Sequence, residues 1–257
     1  MENIVTVNKG VKVVSPAKLT LSLQITGRRE DGYHFIESEM VTIDLVDSVF
    51  LKEGERKVTY EGKYPINPHA KEDLVLRALN FLDVDSVVTV SKSIPPQGGL
   101  GGGSGNAATV LRYFGYSDLE KAVKLGADVP FNIKGGRARV AGIGEIIEPL
   151  TYKEITFTLL IPDIGCSTTE VYKKWDQLGG PKGENGNDLE QAALQVSPEL
   201  SKWRDKLAKH TGLQPKLAGS GSTWFVEGYF PGQGFITART LPSFDKPRLA
   251  NCNPRKF

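Results

Sequence analysis

Six glycines surround a single leucine in Gln97-Gly-Gly-Leu-Gly-Gly-Gly-Ser-Gly105, and the chain then runs directly into helix-forming residues. Glycine permits positive φ and lets the backbone approach a ligand closely. The start of a following helix offers unpaired N–H groups and a positive dipole end. A loop of this kind, entered from a strand, builds a cradle for phosphate.

Two familiar phosphate loops are excluded or weakened by the residues themselves. A P-loop needs Lys followed by Ser or Thr after its last glycine, and Ser104-Gly105-Asn106 stands there instead. The dinucleotide fingerprint is met only in its looser form by Gly103, Gly105 and Ala108, and residues 95–102 separate it from the strand it should follow at once. A flexible tether is the remaining alternative, but Leu100 in the middle and regular elements on both sides argue for phosphate binding.

The rest of the composition narrows the class. With 257 residues, 39% hydrophobic and 24% charged, the chain can bury a sizeable core in one large domain or two moderate ones. A net charge of +2, with no Lys/Arg run longer than a pair, gives no footprint for nucleic acid. Cys166 and Cys252 form no metal spacing, and His34, His69 and His210 are scattered, so no metal site is assigned. No apolar run approaches the roughly 18 residues of a membrane span, and the first residues do not read as a signal peptide, so a cytoplasmic location is expected.

Periodicity places the elements. Strict alternation begins at Lys18, setting Leu19, Leu21, Leu23 and Ile25 on one face and Lys18, Thr20, Ser22 and Gln24 on the other, within a strand over 13–25. Further strands are expected over 41–50, 86–94 and 155–161, and a helix over 73–82. The helix leaving the glycine loop should start at Ser104 or Gly105 and stop at Gly115. Ser117-Asp-Leu-Glu120 reads as a capping box, with Gly126 closing its helix. Residues after the strand at 155–161 read as mostly helical to Lys209. These patterns suggest two domains, 1–149 and 150–257.

Four clusters carry chemistry, each with a plainer alternative. Lys18 starts the alternating strand on its polar face and suits a phosphate or carboxylate, or is a solvated lysine. Asp128, in Leu125-Gly-Ala-Asp-Val-Pro130, suits catalysis or a helix N-cap. Gly27-Arg-Arg-Glu-Asp-Gly-Tyr-His34 is a basic hairpin tip or a recognition segment. Ala218-Gly-Ser-Gly-Ser-Thr223 is a tight turn or a second set of N–H and hydroxyl donors for phosphate.

Ser15-Pro-Ala-Lys18, the glycine loop, Leu125-Gly-Ala-Asp-Val-Pro130 and Ala218-Gly-Ser-Gly-Ser222 occur in this order in a chain that resembles the GHMP kinase superfamily. Gly27 to His34, Gly98 to Ser104, Gly142-Ile-Gly-Glu145 and Asn187-Asp-Leu-Glu190 make it similar to the branch that phosphorylates a cytidine diphosphate derivative of methylerythritol in the non-mevalonate isoprenoid route. The resemblance implies an α+β, two-domain GHMP kinase fold with a deep cleft between N-terminal nucleotide-binding and C-terminal domains. The implied activity is ATP-dependent phosphorylation of the 2-hydroxyl of that substrate. Another GHMP-type small-molecule kinase, or a nucleotide-binding homologue without turnover, is the alternative.

By the same resemblance, Lys18 and Asp128 form the catalytic pair, with Asp128 accepting the substrate hydroxyl proton. ATP would be wrapped by Pro95, Pro96, Gln97, Gly98, Gly99, Leu100, Gly101, Gly102, Gly103, Ser104 and Gly105. Tyr33 and Tyr172 would sandwich the cytosine ring, with His34 on its polar edge and Thr168 nearby, while Thr20, Gly219 and Ser220 complete the substrate pocket. Mg²⁺ would arrive with ATP. The expected partners are ATP and the cytidine diphosphate substrate, with no nucleic acid or membrane, in a monomer or homodimer. The chain departs from the family pattern at Thr20 and Asp73, where Asn is usual, and at Gly105, where a second serine is usual. The segment between the glycine-loop helix and Gly126 is also compressed.

Overall fold

The computed structural model describes residues 5–7 and 10–244; Cys252 lies outside the described residues. Seven strands form the first sheet: β1 (Val5–Val7), β2 (Gly10–Arg28), β3 (His34–Lys52), β4 (Lys57–Gly62), β5 (Val87–Lys92), β6 (Arg137–Gly142) and β7 (Ile146–Pro149). The sheet is built around the long antiparallel pair β2 and β3. The first half of β3 carries β6 and, beyond it, β7, while the second half carries β5. β5 runs parallel to β4, and the crossover between them is α1 (Leu74–Leu82). Parallel neighbours need such a crossover, which explains why a helix lies between these two strands.

Asp73 heads α1, its carboxylate accepting from the Val75 and Leu76 amides at 2.9 and 3.0 Å and from the Tyr60 hydroxyl at 2.7 Å. The apolar face of α1, with Val75, Ala78 and Leu79, packs with Ala107, Val110 and Leu111 of α2 (Gly102–Tyr113) over Val49, Leu51, Val88 and Val90 of the sheet. α3 (Leu119–Ala122) and α4 (Val129–Lys134) complete this layer. The second sheet is antiparallel, in the order β11 (Ile236–Arg239), β8 (Thr156–Leu160), β10 (Trp224–Glu227), β9 (Lys216–Leu217). Against it lie α5 (Thr168–Gln177), α6 (Glu190–Val196) and α7 (Leu200–Thr211). Leu23 and Ile25 at the far end of β2 join Val171, Leu189, Leu207 and Trp224 in one buried cluster, so the central hairpin of the first sheet is anchored in the second half of the chain. Among the described residues, no helix is long and apolar enough to cross a membrane.

Three local expectations need correction. Alternation along β2 is not continuous: the register shifts between Thr20 and Ser22, leaving Leu21 without a partner on β3. This bulge flips the strand, because one extra residue exchanges the two faces. Lys18 pairs with Thr42, Thr20 with Met40 and Leu23 with Ser38, and these β3 partners are two residues apart, so Leu23 shares the face of Lys18 and Thr20. Secondly, α2 starts at Gly102, two residues before Ser104. Gly101, at φ 65°, turns the chain into the helix early, and Gly102, the first residue of the helix, lies close against Ile94 and the Lys92 side chain. Thirdly, Asp118 and not Ser117 caps α3, its carboxylate accepting from the Lys121 amide, and that helix ends at Ala122, well before Gly126.

Candidate active site

The glycine loop, the bulged strand β2, the start of α4 and the loop 218–223 surround a cleft of about 480 Å³. The backbone positions its walls directly. The Lys18 amide donates to the Leu100 carbonyl at 3.0 Å, tying β2 to the glycine loop, and the Thr223 amide donates to the Gly98 carbonyl at 3.2 Å, tying the second loop to the first. Two glycines are needed for this close approach. A Cβ on Gly99 would lie 2.3 Å from the Ala218 carbonyl oxygen, and one on Gly101 would lie 2.7 Å from Cγ of Lys18. Asn187 holds the second loop from behind, its Nδ2 donating to the carbonyls of Leu217 at 2.9 Å and Gly219 at 2.8 Å.

Lys18 is buried, with only 6% of its side chain exposed, and its ammonium donates to Thr20 Oγ1 at 2.9 Å. It also lies 3.4 Å from Oδ2 of Asp128. Asp128 occupies the N-cap position of α4, yet its side chain makes no capping bond. The carboxylate remains 31% exposed to the cleft, with a buried cation beside it and its backbone carbonyl engaged by the first turn of α4. A carboxylate so placed can accept a proton from a hydroxyl held in the cleft, and the lysine can face a phosphoryl group.

Lys92 is a wall residue that the sequence reading did not single out. It is almost wholly buried and paired with Asp47, whose other oxygen accepts from the Ser93 and Ile94 amides at 2.7 and 2.8 Å. Asp47 is one of several charged residues along β3 and Lys92 closes β5, so neither stands out in the sequence, and it is their burial that requires the two charges to be paired.

The expected substrate residues divide into two groups. Thr20, Thr168, Tyr172, Gly219 and Ser220 line the cleft together with Lys18, Asp128 and Pro95 to Ser104. Thr168 Oγ1 and Ser220 Oγ are 2.9 Å apart, which links α5 to the second loop. Burial, and then the charge of Asp128, push the Tyr172 phenol well above its ordinary range. Tyr33, His34 and Gly105 stand outside the cleft wall. Tyr33 is 58% exposed at the tip of the β2–β3 hairpin, with the Arg29 guanidinium 5.8 Å above its ring. His34 is held behind Tyr172, its ring 4.9 Å away and its Nε2 2.8 Å from Oδ1 of Asp176. Gly105 faces β2, where a Cβ would lie 3.1 Å from the Pro16 carbonyl oxygen and 3.2 Å from Ser15 Oγ. Asp73, whose side chain caps α1, is likewise not part of the wall. Among the described residues no three His, Cys, Asp or Glu side chains are grouped to hold a metal ion.

No protein-family model matches the chain. It is 34% identical over 250 residues to the 4-diphosphocytidyl-2-C-methyl-D-erythritol kinase of Thermoanaerobacter pseudethanolicus, covering 84% of this chain and 86% of that protein. A crystal structure of 4-(cytidine 5'-diphospho)-2C-methyl-D-erythritol kinase superposes with a TM-score of 0.65 at 27% identity, over 83% of this chain and 88% of that one. The fold is also that of L. major mevalonate kinase, with a TM-score of 0.60 at 13% identity over 94% and 98% of the two chains.

Proposed function

Because the chain belongs to the 4-diphosphocytidyl-2-C-methyl-D-erythritol kinases, we propose that its cleft holds ATP beside 4-(cytidine 5'-diphospho)-2-C-methyl-D-erythritol and transfers the γ-phosphoryl group to the 2-hydroxyl. The observation that carries this reading is the Asp128 carboxylate, free of capping duty, 3.4 Å from a buried lysine at the edge of the glycine loop. Asp128 takes the hydroxyl proton as the substrate oxygen bonds to the γ-phosphorus, and the bond from that phosphorus to the β,γ-bridging oxygen breaks to release ADP. Lys18 faces the charge on the transferring group while Thr20 holds its ammonium in place. The amides of the glycine loop and the first turn of α2 receive the phosphates.

Mg²⁺ bound with the nucleotide would neutralise phosphate charge. The oxygen donors beside the loop suit it: Ser104 and Asp128 both line the cleft, a sparse set matched to a hard cation that keeps most of its contacts to phosphate and water. Tyr172 and Thr168 form the cytidine end in this reading, with Tyr33 closing over the base from the exposed hairpin tip and His34 supporting Tyr172. We place the domain division at 149/150, supported by the partition of strands between the two sheets, and the enzyme in the cytoplasm as a monomer or homodimer.

The test is ADP release by the purified protein with MgATP and the diphosphocytidyl substrate, alongside cytidine nucleotides, mevalonate, homoserine and galactose. Release with the first alone supports the assignment. Release with another acceptor keeps the kinase and removes the cytosine pocket, and no release with any acceptor leaves a nucleotide-binding homologue.

A further inference from the structure

We propose that Asn132 is a positioning residue that couples the phosphate-binding turn to Asp128, an inference that rests on the reading of Asp128 as the base. Asn132 is 3% exposed and lies one helical turn beyond Asp128 on α4. Its Nδ2 donates to the Asp128 carbonyl at 2.7 Å, and its backbone amide donates to the same oxygen at 3.2 Å. A carbonyl oxygen only accepts, so this bond fixes which end of the amide points at Asp128. The same side chain reaches the glycine loop. A Cβ on Gly101 would lie 3.5 Å from Nδ2, and one on Gly105 would lie 3.7 Å from Oδ1.

Gly101 and Gly105 bound the first turn of α2, the Gly105 amide donating to the Gly101 carbonyl at 2.7 Å. One amide group therefore lies against both ends of the turn that faces phosphate while gripping the backbone of the base. Asn132 is itself held from below, its carbonyl accepting from the buried Arg112 guanidinium, which also donates to Thr109 at 2.9 Å and lies over the Phe244 ring at 4.0 Å. Arg112 and Thr109 belong to α2, so α2 and α4 are joined on both sides of Asn132.

Moving the base by a fraction of an ångström relative to the bound phosphate slows transfer without weakening nucleotide binding. The Asn132→Leu and Asn132→Asp variants remove the donor, one apolar and one of nearly the same shape. We expect each to lower kcat by on the order of 10²-fold; Asn132→Leu should keep KM for ATP within about twofold and an unfolding midpoint close to that of the parent, while Asn132→Asp, which buries a carboxylate against a carbonyl oxygen, should lower the midpoint as well. Asn132→Ser, whose hydroxyl can donate to the carbonyl four residues back, should recover most of kcat. In an Asp128→Asn background the Asn132→Leu change should cost less than about twofold, because a residue acting through the base has nothing left to position. Unchanged kcat in the Leu and Asp variants, or the full loss repeated in the Asp128→Asn background, overturns the inference while leaving the base assignment intact. Retained turnover in Asp128→Asn alone overturns the base assignment and the inference with it.

Discussion

The Asp128 carboxylate reaches toward Lys18 at 3.4 Å and accepts nothing from the helix it heads, although an aspartate at that position ordinarily caps it. Replacing it by asparagine keeps the shape and removes the proton acceptor. Asp128→Asn should lower kcat by about 10² to 10⁴-fold with little change in either KM or in the unfolding midpoint. A cap role would give the opposite pattern: stability lost, turnover kept.

Thr20 accepts a hydrogen bond from the Lys18 ammonium at 2.9 Å. Thr20→Val is nearly isosteric and leaves a buried cation short of a partner. Hydrogen bonds to charged groups contribute about 1.5–3 kcal/mol, so kcat/KM should fall roughly 10- to 100-fold. Steady-state kinetics with both substrates varied would check this, and Thr20→Asn should retain more activity than Thr20→Val.

The face of Tyr172 toward the cleft is proposed to stack on the cytosine ring, a contact that contributes alike before and during transfer. Tyr172→Leu preserves an apolar side chain against the buried cluster it packs on while removing the ring. KM for the cytidine substrate should rise by about 5- to 150-fold, from the roughly 1–3 kcal/mol of base stacking, with kcat changed far less. An unaltered KM would remove Tyr172 from base recognition.

Much of this arrangement was legible in residue patterns, and the parts that were not share a physical cause. The glycine loop, Lys18 on the polar face and the Asp128 turn are local signatures, written in a few consecutive residues. The bulge at Leu21 left no mark on the alternation, because leucine fits either face, and so Leu23 was assigned to the wrong side. Short strands such as Lys57–Gly62, Arg137–Gly142 and Trp224–Glu227 gain their identity from partners far away in the chain. Pairing across such distances has no local signal. The same holds for the contacts of Asn132 with Asp128 and the glycine loop, where an amide in a six-residue helix looks ordinary until α2 is packed beside it.

Tyr60 makes stability depend on alkaline pH. Burial, and then the hydrogen bond and charge of Asp73, push its phenol far above its ordinary range. A raised folded value means that the neutral phenol is favoured by folding, so its contribution is complete below the unfolded value of about 10 and is lost as pH rises beyond it. Urea midpoints measured from pH 8 to about 11.5 should be flat at first and fall above about pH 10, and Tyr60→Phe should fall less steeply.

Asp47 lies wholly buried beneath the glycine loop, paired with Lys92 and accepting two backbone amides at the point where β5 passes into the loop. Removing one partner of such a pair leaves the other charge buried alone, at a cost of about 3–5 kcal/mol. The backbone donors of Ser93 and Ile94, left without that acceptor, would add to the loss. Asp47→Ala should therefore lower the thermal midpoint by roughly 10 °C, given about 2–4 °C per kcal/mol for a chain of this size. The double replacement Asp47→Leu with Lys92→Met removes both charges and should recover part of the midpoint, since an apolar pair of similar volume often matches a buried ion pair in stability. Scanning calorimetry of the three proteins separates these outcomes: if the double variant is no more stable than Asp47→Ala, the pair contributes through its backbone hydrogen bonds and not through the mutual compensation of two buried charges.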